Sequence, residues 1–529
     1  MYSRTLQMLS PDYLKKLSTP SWDVIVVGGG ITGAGILRAA AQQGLRCLLI
    51  EQRDFAWGTS SRSSSMVHGG LRYLGSGDWK LARDSINERE WLQQSLPGLV
   101  NFIPFLMLHK PWQWPTHHAF QLLLTCYDRL AGYRTRQWFN KLKIRQLLPC
   151  VSSACVSGSG FQDALTDDAR LVMRVLQEAK NDGAELLSYT RVDELVYRDN
   201  QVVGVKVCTE ANKQAVLEAT VVVNATGVWS NKLASLAPGL TLRPLRGSHL
   251  TFPAWRLPVP AVVSFFHPQD HRPVFIYPWN NATIVGTTDL DESQKLDKEP
   301  KISLTEIDYL LSAANSQFPH AKLTASDVLS CWSGVRPVLS QKRQRKPSKE
   351  SRHHMIWQEP GLISVSGGKL TTFHLIAEEV MTLVAQYCPD AQPVSIHTSP
   401  WLRTPSISNQ WLRYLNPQQL QRLFGYYGKA ANELLNCAKK EELNTIGASH
   451  TLWAELKWIL MHEWVIHLDD LLLRRTRLGL LLRNGGDEYF PQIKYYSQQL
   501  LSWDDLRWRQ EVQRYQQIWL RAYQLPNIS

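Results

Sequence analysis

The residues that most limit what this chain can fold into are Trp22 to Phe55, "WDVIVVGGGITGAGILRAAAQQGLRCLLIEQRDF". "DVIVV" is a short β-branched run of the kind that forms a strand buried in a parallel sheet. Gly28, Gly30 and Gly33 follow it at the spacing GxGxxG. Gly28 permits the tight turn, Gly30 lets a pyrophosphate approach the backbone, and Gly33 lets the next helix pack closely on the strand. That helix, Ile31 to Gly44, is rich in alanine and leucine and ends at a glycine. A second apolar strand, "RCLLIE", ends in Glu51, where an acid accepts hydrogen bonds from a ribose. GxGxxG alone occurs by chance; strand, turn, helix, strand and acid in register specify a dinucleotide site.

The choice between a diffusible nicotinamide and a retained flavin turns on the residues beyond Phe55. "GTSSRSSSMVHGGLRYL" (Gly58 to Leu74) places small hydroxyl residues and glycines beyond the second strand, able to close over a second phosphate and a flat ring. Far downstream, "TVVVNATGVWS" (Thr220 to Ser230) reads as a buried strand ending at a small-residue turn. "LISVSGGKLTTFHLIAEE" (Leu362 to Glu379) reads as a strand, a double glycine and a helix start. A cofactor touched at both ends of the sequence is wrapped, which suits a flavin that stays bound.

The remainder of the chain narrows the class. At 529 residues it is too long for one ordinary core, so two or three domains are expected. No apolar run approaches the roughly 18 residues of a spanning helix. The start, "MYSRTLQMLSPDYLKKLSTPS", lacks the apolar core of a secretory signal, so a cytoplasmic location is expected. The eight cysteines form no CxxC pair and read as reduced thiols, with neither disulfide nor metal indicated. An excess of 58 Lys and Arg over 46 Asp and Glu gives a net charge of +12, which suits nucleic acid, anionic lipid or an anionic substrate. No zinc-finger spacing, basic zipper or RNA-binding aromatic signature accompanies it, so nucleic acid is set aside.

The strings "GGGITGAGI", "EQRDFAWGTSSRSSSMVHGGLRYL", "DDARLVM", "NATGVW", "RGSHL", "FIYPW", "VGTTD", "SGVRPV", "GGKLTT" and "DDLLLRRTRLGLLL" run nearly from end to end. In order and spacing they resemble the FAD-dependent glycerol-3-phosphate dehydrogenases, respiratory enzymes that pass electrons to quinone, within the wider D-amino-acid oxidase and glycine oxidase fold group. The resemblance implies an α/β fold: an FAD-binding Rossmann-like domain of the D-amino-acid oxidase and glutathione reductase type, an antiparallel-sheet substrate domain and a C-terminal helical domain. By position, Gly28, Gly30, Ile31, Thr32, Gly33 and Glu51 would hold the adenosine half of FAD, and Thr59, Ser60 and Ser61 its pyrophosphate. His68, Gly69, Gly70 and the turn Gly367 to Thr372, with Gly368, Lys369, Leu370 and Thr371, would border the isoalloxazine. Val192, Ala225 and Gly227 would add further cofactor contacts. A helix N-terminus at the Gly367 to Thr372 turn would stabilise negative charge on a reduced flavin.

For the substrate, Arg72, Tyr73, Arg336, Arg352 and Lys369 fall where the family forms an anionic pocket. Guanidinium groups match phosphate oxygens bidentately, which favours a phosphorylated alcohol, glycerol 3-phosphate, over a plain amine. A hydroxyl proton must leave as the hydride moves. His249 in "RGSHL" is the expected general base because an imidazole titrates near the operating pH; a packing role for it stays open. Arg336 and Lys369 are the alternative, lowering the alkoxide's energy electrostatically. Two departures bear on substrate identity: Arg352 is followed by His353 and His354, and the strongly basic "LSQKRQRKPSKE" (Leu339 to Glu350) precedes it. An amine or hydroxy-acid oxidase of the same fold, a glycerol-3-phosphate oxidase using oxygen and a non-catalytic flavin protein remain the alternatives.

An enzyme that reduces ubiquinone or menaquinone must meet the bilayer without spanning it. "KPWQWPTHHAFQLLLTCYDRLAGYRTRQWF" (Lys110 to Phe139) interleaves tryptophans, leucines and arginines as interfacial helices do. The positive charge would add attraction to an anionic membrane surface. Peripheral attachment to the inner face of the cytoplasmic membrane is therefore expected, and a homodimer is compatible with it. Cofactor-binding pieces are expected at residues 21–75, 155–235 and 355–388, substrate-domain pieces at 76–154 and 236–354, and the helical domain at 389–529.

Overall fold

The run Asp23 to Val27 lies at the centre of a parallel sheet. Strand Trp22–Val27 sits between Cys47–Ile50 and Gln214–Asn224, with Val24 opposite Cys47 on one side and Val221 on the other. The computed structural model that reveals this describes residues 11–340, 353–389, 402, 405 and 409–526. Leu362–Ser366 extends the parallel sheet beyond Gln214–Asn224, and Glu185–Leu187 extends it beyond Cys47–Ile50. Antiparallel Met355–Glu359 closes one edge, and the hairpin Thr190–Arg198 with Gln201–Thr209 pairs with the first half of Gln214–Asn224. Val24, Ile25, Val26, Leu48, Leu49 and Val222 are wholly buried, which requires cover on both faces and explains their unbroken apolar sequence. Helix Ile31–Gln42 packs between helices Asp168–Asn181 and Phe373–Val384. Its close approach to the first strand depends on Gly33, where a Cβ would stand 1.9 Å from the Gly28 carbonyl oxygen.

The second sheet is antiparallel except where Val262–Phe266 runs alongside Asn101–His109. Its spine is Thr241–Pro253 against Ser330–Ser340, paired without a break from Thr241 and Ser340 to Thr251 and Ser330. Beyond the other edge of Thr241–Pro253 come Ala282–Gly286, Pro273–Trp279, Val262–Phe266, Asn101–His109, Ser157–Leu165 and Met66–Val67. Met66–Val67 and Ser157–Leu165 thus belong to this sheet rather than to cofactor pieces 21–75 and 155–235. The ladder from Asn101 and Leu165 to His109 and Ser157 holds the chain here, and it returns to the parallel sheet only with helix Asp168–Asn181.

The C-terminal region is helical, with Pro417–Tyr427, Trp453–His462, Phe490–Leu501 and Asp505–Ala522 as its main rods. It docks through buried charge. Arg475 clamps Asp54 with two bonds of 2.6 and 2.7 Å, and Arg474 donates to Asp54 as well as to Asp469 and Asp470. Arg477 reaches Asp167 at 3.1 Å and the Ser61 carbonyl at 2.9 Å. Asp54 follows closely on Glu51, so the helical region grips the loop beneath the dinucleotide turn. Removing one member of such a buried pair strands the other's charge, at a cost of about 3 to 5 kcal/mol.

Candidate active site

A groove of about 310 Å³ runs past the carboxyl ends of the parallel strands, where ligands of open α/β sheets bind. Gly28 opens it with φ +114°, a conformation that side chains rarely adopt. Glu51 is tied into the turn, accepting from Gly29 N at 2.7 Å and Arg53 N at 2.9 Å. Burial pushes its carboxyl up while the two amides oppose the shift. Ile31 N, at the start of the helix, donates to Ser60 Oγ at 3.0 Å, and a Cβ on Gly30 would stand 3.1 Å from the same oxygen. Gly30, Ile31, Thr32, Thr59, Ser60 and Val192 line the groove, as do Ala225, Gly227, Gly368, Lys369 and Leu370. Gly33 stays behind the wall as a packing residue. Ser61 is not brought to the groove: it is buried, with its carbonyl taken by Arg477. Side-chain-free turns, a helix start and a buried acid fit a dinucleotide that spans the groove.

At its far end the groove opens into a cavity of about 610 Å³ beneath the second sheet, the two sharing Thr59, Gly367, Gly368, Lys369 and Leu370. Gly367 and Gly368 both adopt left-handed φ, +83° and +82°, and so carry the chain from strand to helix over the junction. His68, Arg72, Tyr73, Arg336, Lys369 and Thr371 all line this cavity, against a floor that includes Phe105, Phe161 and Phe275. The Lys369 ammonium lies 3.7 Å from the centre of the Tyr73 ring and donates to Ser85 Oγ at 3.1 Å. Gly69 and Gly70 support the wall from behind. Gly69 N donates to Asp163 at 2.9 Å, and a Cβ there would stand 2.2 Å from the Tyr127 hydroxyl. Arg352 and most of the basic stretch before it lie outside the described residues; the adjacent His353 lines the cavity and meets Asp78 at 2.7 Å.

His249 stands on strand Thr241–Pro253, only 2% exposed, with its ring stacked on Trp332 at 4.8 Å and its Nε2 2.8 Å from Ser64 Oγ. Its Nδ1 is buried and has no hydrogen-bond partner. Gly286, directly across the ladder, makes room for the ring, since a Cβ there would stand 2.1 Å from His249 Cδ2. The expectation that this imidazole titrates near neutrality is overturned. Burial, reinforced by the Arg336 charge, lowers its pKa to about 3, so it is neutral throughout the physiological range.

The cavity also holds residues the sequence did not single out. Ser64 sits in a serine run with no spacing signal of its own. Arg272 and Asp289 come from two separate turns of the second sheet and meet only because of its register.

A dinucleotide groove opening into a cation-lined cavity under an antiparallel sheet defines a flavoprotein oxidoreductase of the D-amino-acid oxidase type. The pattern of FAD-dependent oxidoreductases matches residues 23–383, and that of the C-terminal domain of alpha-glycerophosphate oxidase matches residues 366–508. The glycerol-3-phosphate dehydrogenase 2 of Mycobacterium bovis is 32% identical over 524 residues, covering 95% of this chain and 88% of its own. The aerobic glycerol-3-phosphate dehydrogenase of Staphylococcus haemolyticus is 30% identical over 502 residues, covering 89% of each. The chain belongs to the family of FAD-dependent glycerol-3-phosphate dehydrogenases. In three dimensions the Bacillus halodurans glycerol-3-phosphate dehydrogenase, solved with FAD, superposes over 100% of both chains with a TM-score of 0.77 and 26% identity. The L-alpha-glycerophosphate oxidase of Mycoplasma pneumoniae shares the fold at a TM-score of 0.56 and 18% identity, covering 69% of this chain and 95% of its own.

Proposed function

We propose that the protein oxidises sn-glycerol 3-phosphate to dihydroxyacetone phosphate with bound FAD and hands the electrons to a membrane quinone. The observation that carries this reading is the junction of the two spaces. A groove suited to a dinucleotide meets, at Gly367 to Leu370, a cavity lined by four arginines, a lysine and the neutral His249. When bound, FAD supplies a two-electron acceptor that takes a hydride. Thr59, Ser60 and the amide start of helix Ile31–Gln42 would hold its pyrophosphate, and Glu51 its ribose. Arg72 and Arg336 bind the phosphate of the substrate. Lys369, steadied by Tyr73 and Ser85, lies where the secondary alcohol approaches the junction and offsets developing alkoxide charge. His249, kept neutral but made a weak base by burial and the Arg336 charge, lines the same cavity with Ser64 Oγ 2.8 Å from its Nε2, and on that position it is the group proposed to take the hydroxyl proton.

The deciding experiment is anaerobic flavin bleaching. Glycerol 3-phosphate should bleach the yellow protein, and glycerol, sarcosine, glycine and lactate should not. Bleaching by an amine alone would overturn the reading. Re-oxidation by a quinone analogue faster than by oxygen separates the dehydrogenase from an oxidase.

Attachment to the bilayer forms part of the same proposal. No helix among the described residues is long and apolar enough to cross a membrane. Support comes from the segment Lys110 to Phe139, where helix His117–Ala131 turns Phe120, Leu124 and Tyr127 inward and leaves Leu122 outward. Trp112, Trp114 and Trp138 are exposed beside it. Such a surface suits the headgroup region of a membrane. Sedimentation with anionic and neutral liposomes at low and high salt tests it; no association under any of these conditions would refute the attachment.

A further inference from the structure

We propose that Arg272 is an additional phosphate-binding cation of the cavity, and that Asp289, which lies between Arg272 and Arg336, is a positioning residue for both. The proposal rests on the reading of the substrate as a phosphorylated alcohol. Arg272 stands at the head of strand Pro273–Trp279 and Arg336 on strand Ser330–Ser340, with two strands between them, yet both side chains reach the same cavity. Asp289 comes from the turn after Ala282–Gly286. Its Oδ2 is 3.3 Å from Arg272 Nη2 and its Oδ1 is 3.7 Å from Arg336 Nη2.

Three features make this trio a binding device rather than a closed ion pair. A tight charge-assisted bond spans about 2.7 to 2.9 Å, so the longer 3.3 Å contact to Asp289 orients the Arg272 guanidinium without saturating it. Each guanidinium carries five N–H donors, and Arg336 directs one of them to the Thr288 carbonyl at 3.3 Å. The Asp289 carboxylate is buried, and its Oδ1 accepts no hydrogen bond, so its role there is charge and direction alone. Charge also matches. Arg272, Arg336 and Asp289 together leave a single positive charge, and Arg72 adds a second, which balances a phosphate monoester dianion. Gly247 clears the wall behind, since a Cβ there would stand 2.4 Å from Arg336 Nη2.

Titration calorimetry of the flavin-loaded protein with inorganic phosphate reads this pocket without turnover; KM and kcat for glycerol 3-phosphate are measured alongside. Arg272→Gln should weaken inorganic phosphate binding and raise KM by about 10- to 100-fold, with kcat changed less than KM. Arg272→Lys, which keeps the charge and loses the planar fork, should recover part of that loss. Asp289→Asn separates direction from charge. Removing a negative charge would by Coulomb's law tighten anion binding, whereas the loss of a common orientation weakens it, and weaker binding is expected. Arg256→Gln, whose partner Asp327 lies outside the cavity, should change neither quantity. Flavin absorbance per chain checks folding, and the partly exposed Arg272 carries the test if Asp289→Asn loses flavin. Unchanged phosphate binding in Arg272→Gln, or tighter binding in Asp289→Asn, would overturn the proposal while leaving the parent reading intact. A wild-type protein that neither binds phosphate nor oxidises glycerol 3-phosphate would overturn both.

Discussion

Gly286→Ala tests the catalytic geometry through a residue that does not itself react. The added methyl would stand 2.1 Å from His249 Cδ2 and 2.8 Å from Nε2. Non-bonded carbons settle near 3.5 Å or beyond, so the imidazole must retreat by about 1.4 Å or the strand pairing must open. Trp332 stacked on the ring and Ser64 bonded to Nε2 leave no retreat that preserves both contacts. A misplacement of about 1 Å costs on the order of 100-fold in rate, and loss of a positioned base costs about 100- to 10,000-fold. Flavin reduction should therefore slow by about 100- to 1,000-fold, equivalent to roughly 2.7 to 4 kcal/mol. The assay is anaerobic stopped-flow mixing with glycerol 3-phosphate, following loss of flavin absorbance, with inorganic phosphate binding as the check that the cations remain in place. Reduction at the wild-type rate with full flavin content would refute the assignment of proton transfer to His249.

Other outcomes rest on the same geometry. Gly30→Glu should abolish flavin retention, because the side chain would occupy the pyrophosphate's approach beside Ser60; absorbance per chain measures it, and full occupancy would contradict the groove assignment. Arg336→Ala should leave flavin bound but cost about 2 to 4 kcal/mol in kcat/KM for glycerol 3-phosphate, with glycerol affected far less. Stability should fall in alkali. His467 lies between Glu511 at 2.9 Å and Glu210 at 3.2 Å, and although burial opposes it, the two carboxylates raise its pKa from 6.5 to about 9. The folded state holds that proton more tightly, so the contribution is complete below pH 6.5 and lost as pH rises through about 9. Thermal melts across that window should drop for the wild type and flatten for His467→Gln; parallel curves would refute the pairing.

The dinucleotide half of the site was legible because its signal is local. Turn, helix start and acid lie within one βαβ stretch, and each glycine answers a clash visible between neighbours. The substrate half is assembled across the sheet, and a sequence without its register cannot say that Arg272 reaches toward Arg336 or that Asp289 stands between them. The same limit misplaced Met66–Val67 and Ser157–Leu165, whose pairing partners decide their sheet. For His249 the position was readable from "RGSHL" but the protonation state was not. Burial under Trp332 and proximity to Arg336 set that state, and neither is a property of the pentapeptide. Ser61 was placed at the pyrophosphate by the family resemblance, yet it is buried and its carbonyl is taken by Arg477.

The grip of Arg474 and Arg475 on Asp54 also has a temporal meaning. The partners are separated by 420 residues, so a ribosome that has made Asp54 needs about 20 to 80 seconds more to deliver Arg474. During that interval the loop beneath the dinucleotide turn carries an acid destined for complete burial, with no counter-charge yet synthesised. Released chains that end before Arg474 should therefore bind flavin poorly and resist proteolysis poorly at this loop, whereas chains that include helix Asp505–Ala522 should gain both properties together. Tight flavin binding by the shorter chains would disprove the dependence. Cofactor capture should then wait for residues made 420 positions after the loop they steady.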